Sequence, residues 1–317
     1  MKACEDIKKR DIDFVIVEGD RNAAEAVKKR ISQPLIVHLH NTFHAASERA
    51  EEIAKAVDYF FTVSDYIKRE ALTVPGVAED TVFTVHNCTD TERFHRARYT
   101  VDRARIRKEF QISESDVLLI FTGRLVPEKG VYELAQAVSE ASGDVKLMIL
   151  GASSFDQPSK TDYVAKLEAV IEKNPGKVFF TGFVKHSEIA KYYAAADIAV
   201  VPSLWEEPAG LTAFESLSMA LPLIATKSGG MVEYFDEGCA IALEKDAETI
   251  VRELKAAIDR LSHDQELRCK MGEHAREHIL KFDIGNYYAE YCETLESVFR
   301  KETKSGKNRD CYISQGR

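Results

Sequence analysis

Residues 206–215 read Glu-Glu-Pro-Ala-Gly-Leu-Thr-Ala-Phe-Glu and are the most informative ten residues of the chain. They set Glu207 and Glu215 on either side of Gly210, and a helix-type run at 212–220 follows this glycine. A helix that begins at such a glycine has free backbone N–H groups, which together with the helix dipole attract phosphate. Glu207 lies in the loop before this start and Glu215 lies on the first or second turn. The two carboxylates therefore bracket the N–H groups and do not share a helix face.

A second unusual stretch, Thr-Gly-Arg-Leu-Val-Pro-Glu-Lys-Gly at 122–130, directly follows a predicted strand. Ligands of open α/β sheets collect beyond the carboxyl ends of strands. Gly123 lets the backbone turn and Gly130 opens the next helix. A fork donor such as Arg124 and a point cation such as Lys129 together suit a diphosphate. Taken alone, the pair is equally consistent with two surface cations in a loop.

Short apolar runs alternate with longer helix-period segments, which predicts an α/β fold with parallel sheets covered on both faces. The predicted strands are 14–18, 34–39, 59–63, 82–86, 117–122, 146–150, 178–180, 198–201, 223–225 and 240–242. About four of them belong to a first region and about six to a second, with a polar stretch between. The predicted organisation is a first domain at 1–105, a second at 106–282, a terminal helix at 283–301 and a polar tail at 302–317.

The composition excludes several classes of protein. No run approaches a membrane span, the start Met1–Arg10 does not resemble a signal peptide, and a net charge of −9 argues against nucleic acid. Two basic clusters, 28–30 and 93–98, are interpreted as solvated helix faces, with contact to an anionic acceptor or membrane surface as the alternative. Six scattered cysteines indicate free thiols in a reducing cytoplasm. No dinucleotide fingerprint, Walker loop, metal cluster or nucleophile elbow is recognised.

Three further positions carry weaker signals. His38 and His40 alternate on one predicted strand and so face the same side, with His40 nearer the carboxyl end. His38 is interpreted as a packed structural histidine, and packing is also the better interpretation of His40 taken alone. The stretch 181–184 ends a strand, and its backbone at Phe183 and Val184 could pair with a nucleobase edge, although a buried Phe183 is equally consistent.

Taken together, these stretches resemble the retaining glycosyltransferases of family 4, which have the GT-B fold of two Rossmann-type parallel-sheet domains facing a cleft. The resemblance runs from about residue 13 to residue 299. It rests on four stretches that occur in the family's order and spacing. These are 87–94 (Asn-Cys-Thr-Asp-Thr-Glu-Arg-Phe), 121–130, 207–215 and 222–233.

The resemblance implies a role for each matching residue. Arg124 and Lys129 would bind the donor diphosphate, Glu207 the donor sugar and Glu215 the ribose, with His40 at the sugar. The implied catalytic residues are Glu207 and His40. The implied donor-binding residues are Gly123, Arg124, Lys129, Phe183, Val184, Gly210, Leu211, Thr212 and Glu215. Transfer in such enzymes uses no metal or other cofactor and keeps the anomeric configuration through a front-face step that resembles an ion pair.

The chain departs from the family in its first domain. About three strand–helix units that family members carry ahead of residue 14 have no counterpart, and Cys88 replaces the usual glycine. We therefore expect an N-terminal domain that is truncated on the acceptor side. A natural short form, a missing N-terminal segment and a second polypeptide that completes the domain all remain open.

The leading interpretation is transfer of a hexosyl residue from a nucleotide diphosphate sugar to a glycan or lipid-linked acceptor in cell-surface polysaccharide synthesis. A UDP-sugar is favoured over a GDP-sugar by family frequency alone. The enzyme would be cytoplasmic, with peripheral contact at the inner face of the membrane as an option. One alternative is a nucleotide-sugar-binding subunit that is inactive without a partner chain. Another is a glycosidase in which Glu207 and Glu215 act as a carboxylate pair.

Overall fold

The computed structural model describes residues 2–7, 9–152 and 161–304. These residues form two compact units. The first unit contains the described residues up to Asn87 together with those from Gly285 onward, and the second unit contains Cys88–Ile284 without its undescribed part.

The described residues form ten strands, and each predicted strand is confirmed with ends that differ by two residues at most. They are β1 (Val15–Glu18), β2 (Leu35–Leu39), β3 (Tyr59–Thr62), β4 (Val82–Thr84), β5 (Val117–Thr122), β6 (Val145–Leu150), β7 (Val178–Gly182), β8 (Ile198–Val201), β9 (Leu223–Thr226) and β10 (Ala240–Leu243).

The helices lie between these strands and at the two ends of the described chain. They are α1 (Lys2–Ile7), α2 (Ala24–Lys28), α3 (Ala50–Ala56), α4 (Asp65–Leu72), α5 (Thr100–Glu109), α6 (Val131–Glu140), α7 (Asp162–Lys173), α8 (His186–Ala195), α9 (Leu211–Ser218), α10 (Ile250–His263), α11 (Gln265–Ile279) and α12 (Ile284–Lys304). Short 3₁₀ turns include Pro127–Lys129 and Gly229–Tyr234.

The first unit is built on a four-stranded parallel sheet in the order β1-β2-β3-β4. Every residue of β2 and β3 is buried, as expected of central parallel strands that are covered on both faces. On one face, Val298 and Tyr291 of α12 pack against a cluster that contains Ile36 and Phe61. The ring of Tyr291 meets that of Phe61 edge-on at 5.7 Å. Helix α12 therefore belongs to the core of the first unit.

The second unit is built on a six-stranded parallel sheet in the order β10-β9-β8-β5-β6-β7. Its core joins Leu119 of β5 and Ile149 of β6 to Leu134 of α6 and to Leu254 and Ile258 of α10, all of them 0% exposed. Each such side chain contributes about 1.5–3 kcal/mol when it leaves water. The predicted α/β class, with four parallel strands in one domain and six in the other, is confirmed.

The structure places the change of unit after Asn87, whereas the sequence placed it after residue 105. The reason is that α5 packs in the second unit through Arg107, which is 1% exposed. Its guanidinium donates to the carbonyl of Ala195 at 2.9 Å and to Asp197 at 3.0 Å. A fully buried arginine requires such partners, so this arginine-rich stretch anchors α5 and is not a linker. At the other end α12 reaches Lys304, and the remainder of the predicted tail, 305–317, lies outside the described residues.

The cysteines of the described chain agree with the thiols expected from the sequence. Cys88, Cys239, Cys269 and Cys292 form no disulfide with any described residue. Burial raises the pKa of the Cys88 and Cys239 thiols to about 11, so both are protonated at neutral pH and are poor nucleophiles. Cys311 and the side chain of Cys4 lie outside the described residues.

Candidate active site

The strand order of the second sheet reverses at β5, which has β6 on one side and β8 on the other. Open parallel sheets bind ligands beyond the carboxyl ends of their strands at such a point. The loops that leave β5 and β8 there are residues 123–130 and 202–210. They are joined by a hydrogen bond of 2.8 Å from the Leu204 N–H to the Glu128 carbonyl. The two stretches that the sequence singled out therefore lie together.

Gly130 allows these two loops to touch. It adopts the left-handed conformation at φ +64°, between the 3₁₀ turn Pro127–Lys129 and the start of α6. A Cβ atom at this position would collide with the carbonyl oxygen of Pro202. The conformation and the close contact both require glycine. The predicted opening of a helix at Gly130 agrees with the structure.

Lys129 and Glu207 form an ion pair at the point where the loops meet. Lys129 Nζ lies 2.5 Å from Glu207 Oε1, which also accepts a hydrogen bond of 2.5 Å from the Ser203 hydroxyl. Glu207 is only 6% exposed, and Lys129 lies 5.1 Å from the ring centre of Trp205. A buried carboxylate requires a charged partner and further hydrogen bonds, and this one has both. The sequence predicted a role for each residue but not the bond between them.

The backbone of Glu207 is fixed by the loop after β9. Its N–H donates to the Ser228 hydroxyl at 3.0 Å, and its carbonyl accepts from the Gly230 N–H at 2.8 Å. The Gly229 N–H donates to the neighbouring Glu206 carboxylate at 2.7 Å. Three loops thus hold the Glu207 side chain in one orientation. The stretch 222–233 contributes to the site by supporting Glu207.

Arg124 presents an uncommitted guanidinium in the loop after β5. Its side chain is exposed, and no described residue forms a hydrogen bond or ion pair with it. The preceding Gly123 is held by a hydrogen bond of 3.0 Å from its N–H to the Leu150 carbonyl. A fork of N–H donors on an anchored backbone suits a phosphate group.

Gly210 starts α9, as predicted. It is left-handed at φ +73°, and a Cβ atom there would lie 2.6 Å from Met231 Cγ. The Ala213 N–H donates back to the Gly210 carbonyl at 2.8 Å. The N–H groups of Leu211 and Thr212 have no acceptor among the described residues, and Leu211 is 53% exposed. Their position at the helix start is where an anion binds.

Glu215 lies on the second turn of α9 and is 8% exposed. One carboxylate oxygen lies 2.7 Å from His186 Nε2, and the other accepts from the Tyr193 hydroxyl at 3.2 Å. Because Tyr193 gives its only proton to Glu215, Thr122 donates to Tyr193 across their 2.5 Å contact. Burial raises the pKa of Tyr193 far above its ordinary value, and the hydrogen bond to Glu215 raises the pKa of His186.

His186 and Tyr193 are site residues that sequence reasoning missed. Both lie on α8, which follows the predicted loop 181–184. An ordinary amphipathic helix pattern gave no indication that they face Glu215.

The two glutamates have separate partners, Lys129 for Glu207 and His186 for Glu215. A glycosidase requires one protonated carboxyl group that acts as an acid beside a second carboxylate. Glu207 is instead bonded to the ammonium group of Lys129, and its carboxylate oxygens can accept hydrogen bonds. The geometry favours the interpretation as hydroxyl-binding carboxylates over the acid–base pair.

Phe183 and Val184 lie in the loop between β7 and α8. Phe183 is 58% exposed and Val184 is half-buried, so the alternative of a buried Phe183 is wrong. Gly182, the last residue of β7, is left-handed at φ +74° and turns the chain into this loop. The exposed ring offers a flat apolar face beyond the carboxyl edge of the sheet.

His40 belongs to the first unit, directly after β2. Its Nε2 lies 3.0 Å from Glu18 Oε2, and its ring is 4.3 Å from that of His38, so the two histidines do face the same side. His38 is 1% exposed, as its structural interpretation requires. Its Nδ1 is also 3.0 Å from Glu18 Oε2, yet neither ring nitrogen has a hydrogen bond of acceptable geometry. Burial, aided by repulsion from His40, lowers the pKa of His38 to about 4.

Among the described residues, no helix combines the length and the apolar character needed to cross a bilayer.

Three comparisons with known proteins agree with one another. The family model described as "Glycosyl transferases group 1" matches residues 102–278. A putative glycosyltransferase of Bacillus subtilis, YtcC, is 27% identical over 315 residues, which are 95% of this chain and 76% of the relative. Spore coat protein SA of the same organism is 27% identical over 307 residues, 93% of this chain and 80% of the relative. The crystal structure of Anabaena HepE with UDP-glucose matches with a TM-score of 0.81 at 20% identity and covers 93% of this chain and 81% of that chain. These matches confirm the GT-B fold.

Proposed function

The chain belongs to the group 1 glycosyl transferases, and from this premise we propose that it moves a hexosyl residue from a UDP-sugar to a glycan or lipid-linked acceptor with retention of configuration. UDP is supported by HepE, a protein of the same fold whose structure contains UDP-glucose. An acceptor at the cell surface is in keeping with the name of one relative, a spore coat protein.

The observation that carries this proposal is the Lys129–Glu207 pair at the switch point, beside the start of α9. In the proposed complex, the diphosphate is neutralised by Arg124 and by the N–H groups of Lys129 that do not bond Glu207. The backbone N–H groups of Leu211 and Thr212 contribute to this neutralisation. Cations and backbone dipoles that are fixed before the reaction stabilise charge as it develops on a leaving group. We propose no metal at the diphosphate, because Arg124, the Lys129 ammonium and the backbone N–H groups at the start of α9 would together donate to its oxygens.

The glutamates would hold hydroxyl groups on either side of the diphosphate. Glu207 would accept a hydrogen bond from a hydroxyl group of the donor sugar. Glu215 would accept a hydrogen bond from a ribose hydroxyl, which would replace its hydrogen bond with His186. A carboxylate near the sugar also stabilises the positive charge that develops on the ring as the leaving group departs. The exposed ring of Phe183 would lie near the nucleobase, with the backbone of Val184 at the base edge.

The proposed step is a front-face displacement. The bond from the sugar C1 to the diphosphate oxygen breaks, and its electron pair leaves with UDP, held by Arg124 and Lys129. The acceptor hydroxyl oxygen bonds to C1 on the face that the leaving group vacates, and its proton passes to a diphosphate oxygen. The product keeps the anomeric configuration of the donor. His40 enters the proposal through the family resemblance alone, and a fall in transfer by His40→Ala would support its role.

The test is turnover of a panel of UDP-, GDP- and ADP-sugars by the purified chain, with release of nucleotide as the readout. We expect a UDP-sugar to be used, with turnover that survives EDTA and with an α-donor that gives an α-product by NMR. A product of inverted configuration, or activity on a free glycoside without nucleotide, would overturn the proposal.

A further inference from the structure

We propose that Asp236, His274 and His278 form a binding site for a divalent transition-metal ion of the Zn²⁺, Co²⁺ or Ni²⁺ class. The three side chains lie in the second unit and are separate from the residues assigned to the donor. Their ligand atoms, one from each residue, all lie within 4.8 Å of one another. Two imidazoles and one carboxylate are the ligands that these ions prefer in proteins.

Helix α11 supplies two of the ligands. His274 and His278 are four residues apart, so they lie on the same face one turn apart. Their ring centres are 6.0 Å apart. The sequence pattern around this pair does not indicate a metal site, because the third ligand is 38 residues away from His274 along the chain.

Asp236 faces both histidines from the loop between the 3₁₀ turn Gly229–Tyr234 and β10. Its two oxygens lie 3.0 and 3.1 Å from His274 Nε2, and Oδ2 lies 3.0 Å from His278 Nδ1. An ion bound at about 2.0–2.2 Å from each ligand holds its ligand atoms roughly 3–4 Å apart. The carboxylate of Asp236 is thus already at the required separation from each imidazole, and all three ligand atoms lie within 4.8 Å of one another.

The surroundings hold the ligands in this orientation before any ion binds. The Gly238 N–H donates to Asp236 Oδ1 at 2.9 Å. A Cβ atom at position 238 would lie 2.7 Å from His274 Nε2, so glycine leaves room for the ring to approach the carboxylate. His278 is nine-tenths buried, and its Nε2 has no hydrogen-bond partner among the described residues. The protein therefore satisfies only the His278 nitrogen that faces the cluster.

The cluster is open to solvent on one side. His274 and Asp236 are 44% and 45% exposed, so an ion can enter and keep water as a further ligand. A bound ion would tie α11 to the segment 229–239. Gly229 and Gly230 at the beginning of that segment bond to Glu206 and Glu207, so the ion would stiffen the loop that supports the donor site.

The test is titration of the tag-free, EDTA-treated chain with Co²⁺, followed by visible absorption, which reports nitrogen and oxygen ligation directly and does not depend on transfer activity. We expect one equivalent to bind and Zn²⁺ to displace it. Asp236→Asn, His274→Ala and His278→Ala should each weaken Co²⁺ binding at least about tenfold, because loss of one of three protein ligands removes a large share of the affinity. His263→Ala, which removes an exposed histidine outside the cluster, serves as the matched control and should bind as the unaltered chain does.

Two results would overturn the site. One is a chain that binds no Co²⁺, or that binds it equally well in all three cluster variants. The other is binding that is lost in Glu18→Gln, since Glu18, His38 and His40 form a second group in the first unit whose side chains are of the metal-ligand type. Far-UV circular dichroism shows whether each variant is folded. His274→Ala is the variant least expected to unfold, because His274 is partly exposed.

Discussion

Lys129 Nζ lies 2.5 Å from Glu207 Oε1, so the cation assigned to the donor diphosphate and the carboxylate assigned to the donor sugar are bonded to each other. The pair is largely buried, with side chains 20% and 7% exposed. Removal of one partner of such a pair leaves an uncompensated charge and costs about 3–5 kcal/mol. Each residue therefore positions the other, and substitutions at the two positions should act together.

Glu207→Gln is expected to separate binding from transfer. The amide keeps the shape and can still accept from Ser203, while Lys129 is freed from its ion pair to bind phosphate. We expect the UDP dissociation constant to stay within about threefold and transfer to fall by roughly 10²–10³, because charge stabilisation at the sugar is lost. Calorimetry with UDP and initial-rate kinetics measure the two effects.

Glu206→Gln is the matched control for this change. Glu206 is the adjacent glutamate, 46% exposed and paired with Lys245. Exposed pairs contribute little, so transfer should stay within about threefold. Transfer at the unaltered rate in Glu207→Gln would show that Glu207 does not act at the donor sugar.

Gly210→Ala should harm the site more than the same change at Gly176. Both glycines are left-handed, at φ +73° and +75°, so each substitution costs about 1–2 kcal/mol of unfolding free energy. At Gly176 nothing lies within 4 Å of the new Cβ, whereas at Gly210 it would crowd Met231. The displaced start of α9 should lower transfer by about 10–100-fold in Gly210→Ala alone. Equal activity of the two variants in a kinetic assay would contradict the role of this helix start.

The His186–Glu215 pair should make stability fall as the pH rises. The hydrogen bond that His186 donates to Glu215 raises the pKa of His186 above its ordinary 6.5, so the stabilisation is complete below pH 6.5 and is lost as the pH passes the raised value. The effect is small because the His186 side chain is 62% exposed and solvent screens the charge. This stabilisation is measured by urea unfolding of the unaltered chain and of His186→Asn. The two pH values are about 5.5 and about 8.5, because histidine titrates between them. The advantage of the unaltered chain should be larger at the lower pH, and an advantage that grows with pH would be inconsistent with this pairing.

Buried His38 should make stability fall as the pH is lowered, which is opposite in sign to the effect of His186. Its pKa of about 4 lies below the ordinary 6.5, so between these values the unfolded chain binds the proton and stability falls as the pH is lowered. The loss should reach about 3 kcal/mol below pH 4. His38→Asn cannot take up this proton, so its unfolding free energy should depend less steeply on pH between 6.5 and 4. The slope is informative even if the variant is less stable at every pH, and an unchanged slope would show that His38 is not held neutral.

The sequence was enough to predict the strands and helices, but it was not enough to predict the side-chain contacts between them. Each strand, such as 117–122 or 198–201, is a continuous apolar run that only a covered parallel strand explains. The bonds that build the site join residues 78 and 29 positions apart, Lys129 with Glu207 and His186 with Glu215. Such distances depend on how the loops after β5, β8 and β7 approach one another, and no local pattern encodes them.

The unit boundary was misplaced for a related reason. A run of arginines has the composition of a solvated linker, and only tertiary structure shows that Arg107 is buried against Ala195 and Asp197. The same stretch in isolation would be polar and exposed. Burial of a charged side chain depends on partners that the local sequence does not reveal.

The most direct test of the donor site is calorimetric titration of the unaltered chain and of Lys129→Ala with UDP and with uridine, which lacks the diphosphate. Loss of one charge-assisted contact to phosphate should raise the UDP dissociation constant by about 10–100-fold and leave that of uridine unchanged. Lys227→Ala, which removes a lysine from an exposed pair with Glu244, should bind both ligands as the unaltered chain does. Equal weakening of UDP and uridine in Lys129→Ala, or no weakening of UDP, would contradict the assignment of Lys129 to the donor diphosphate.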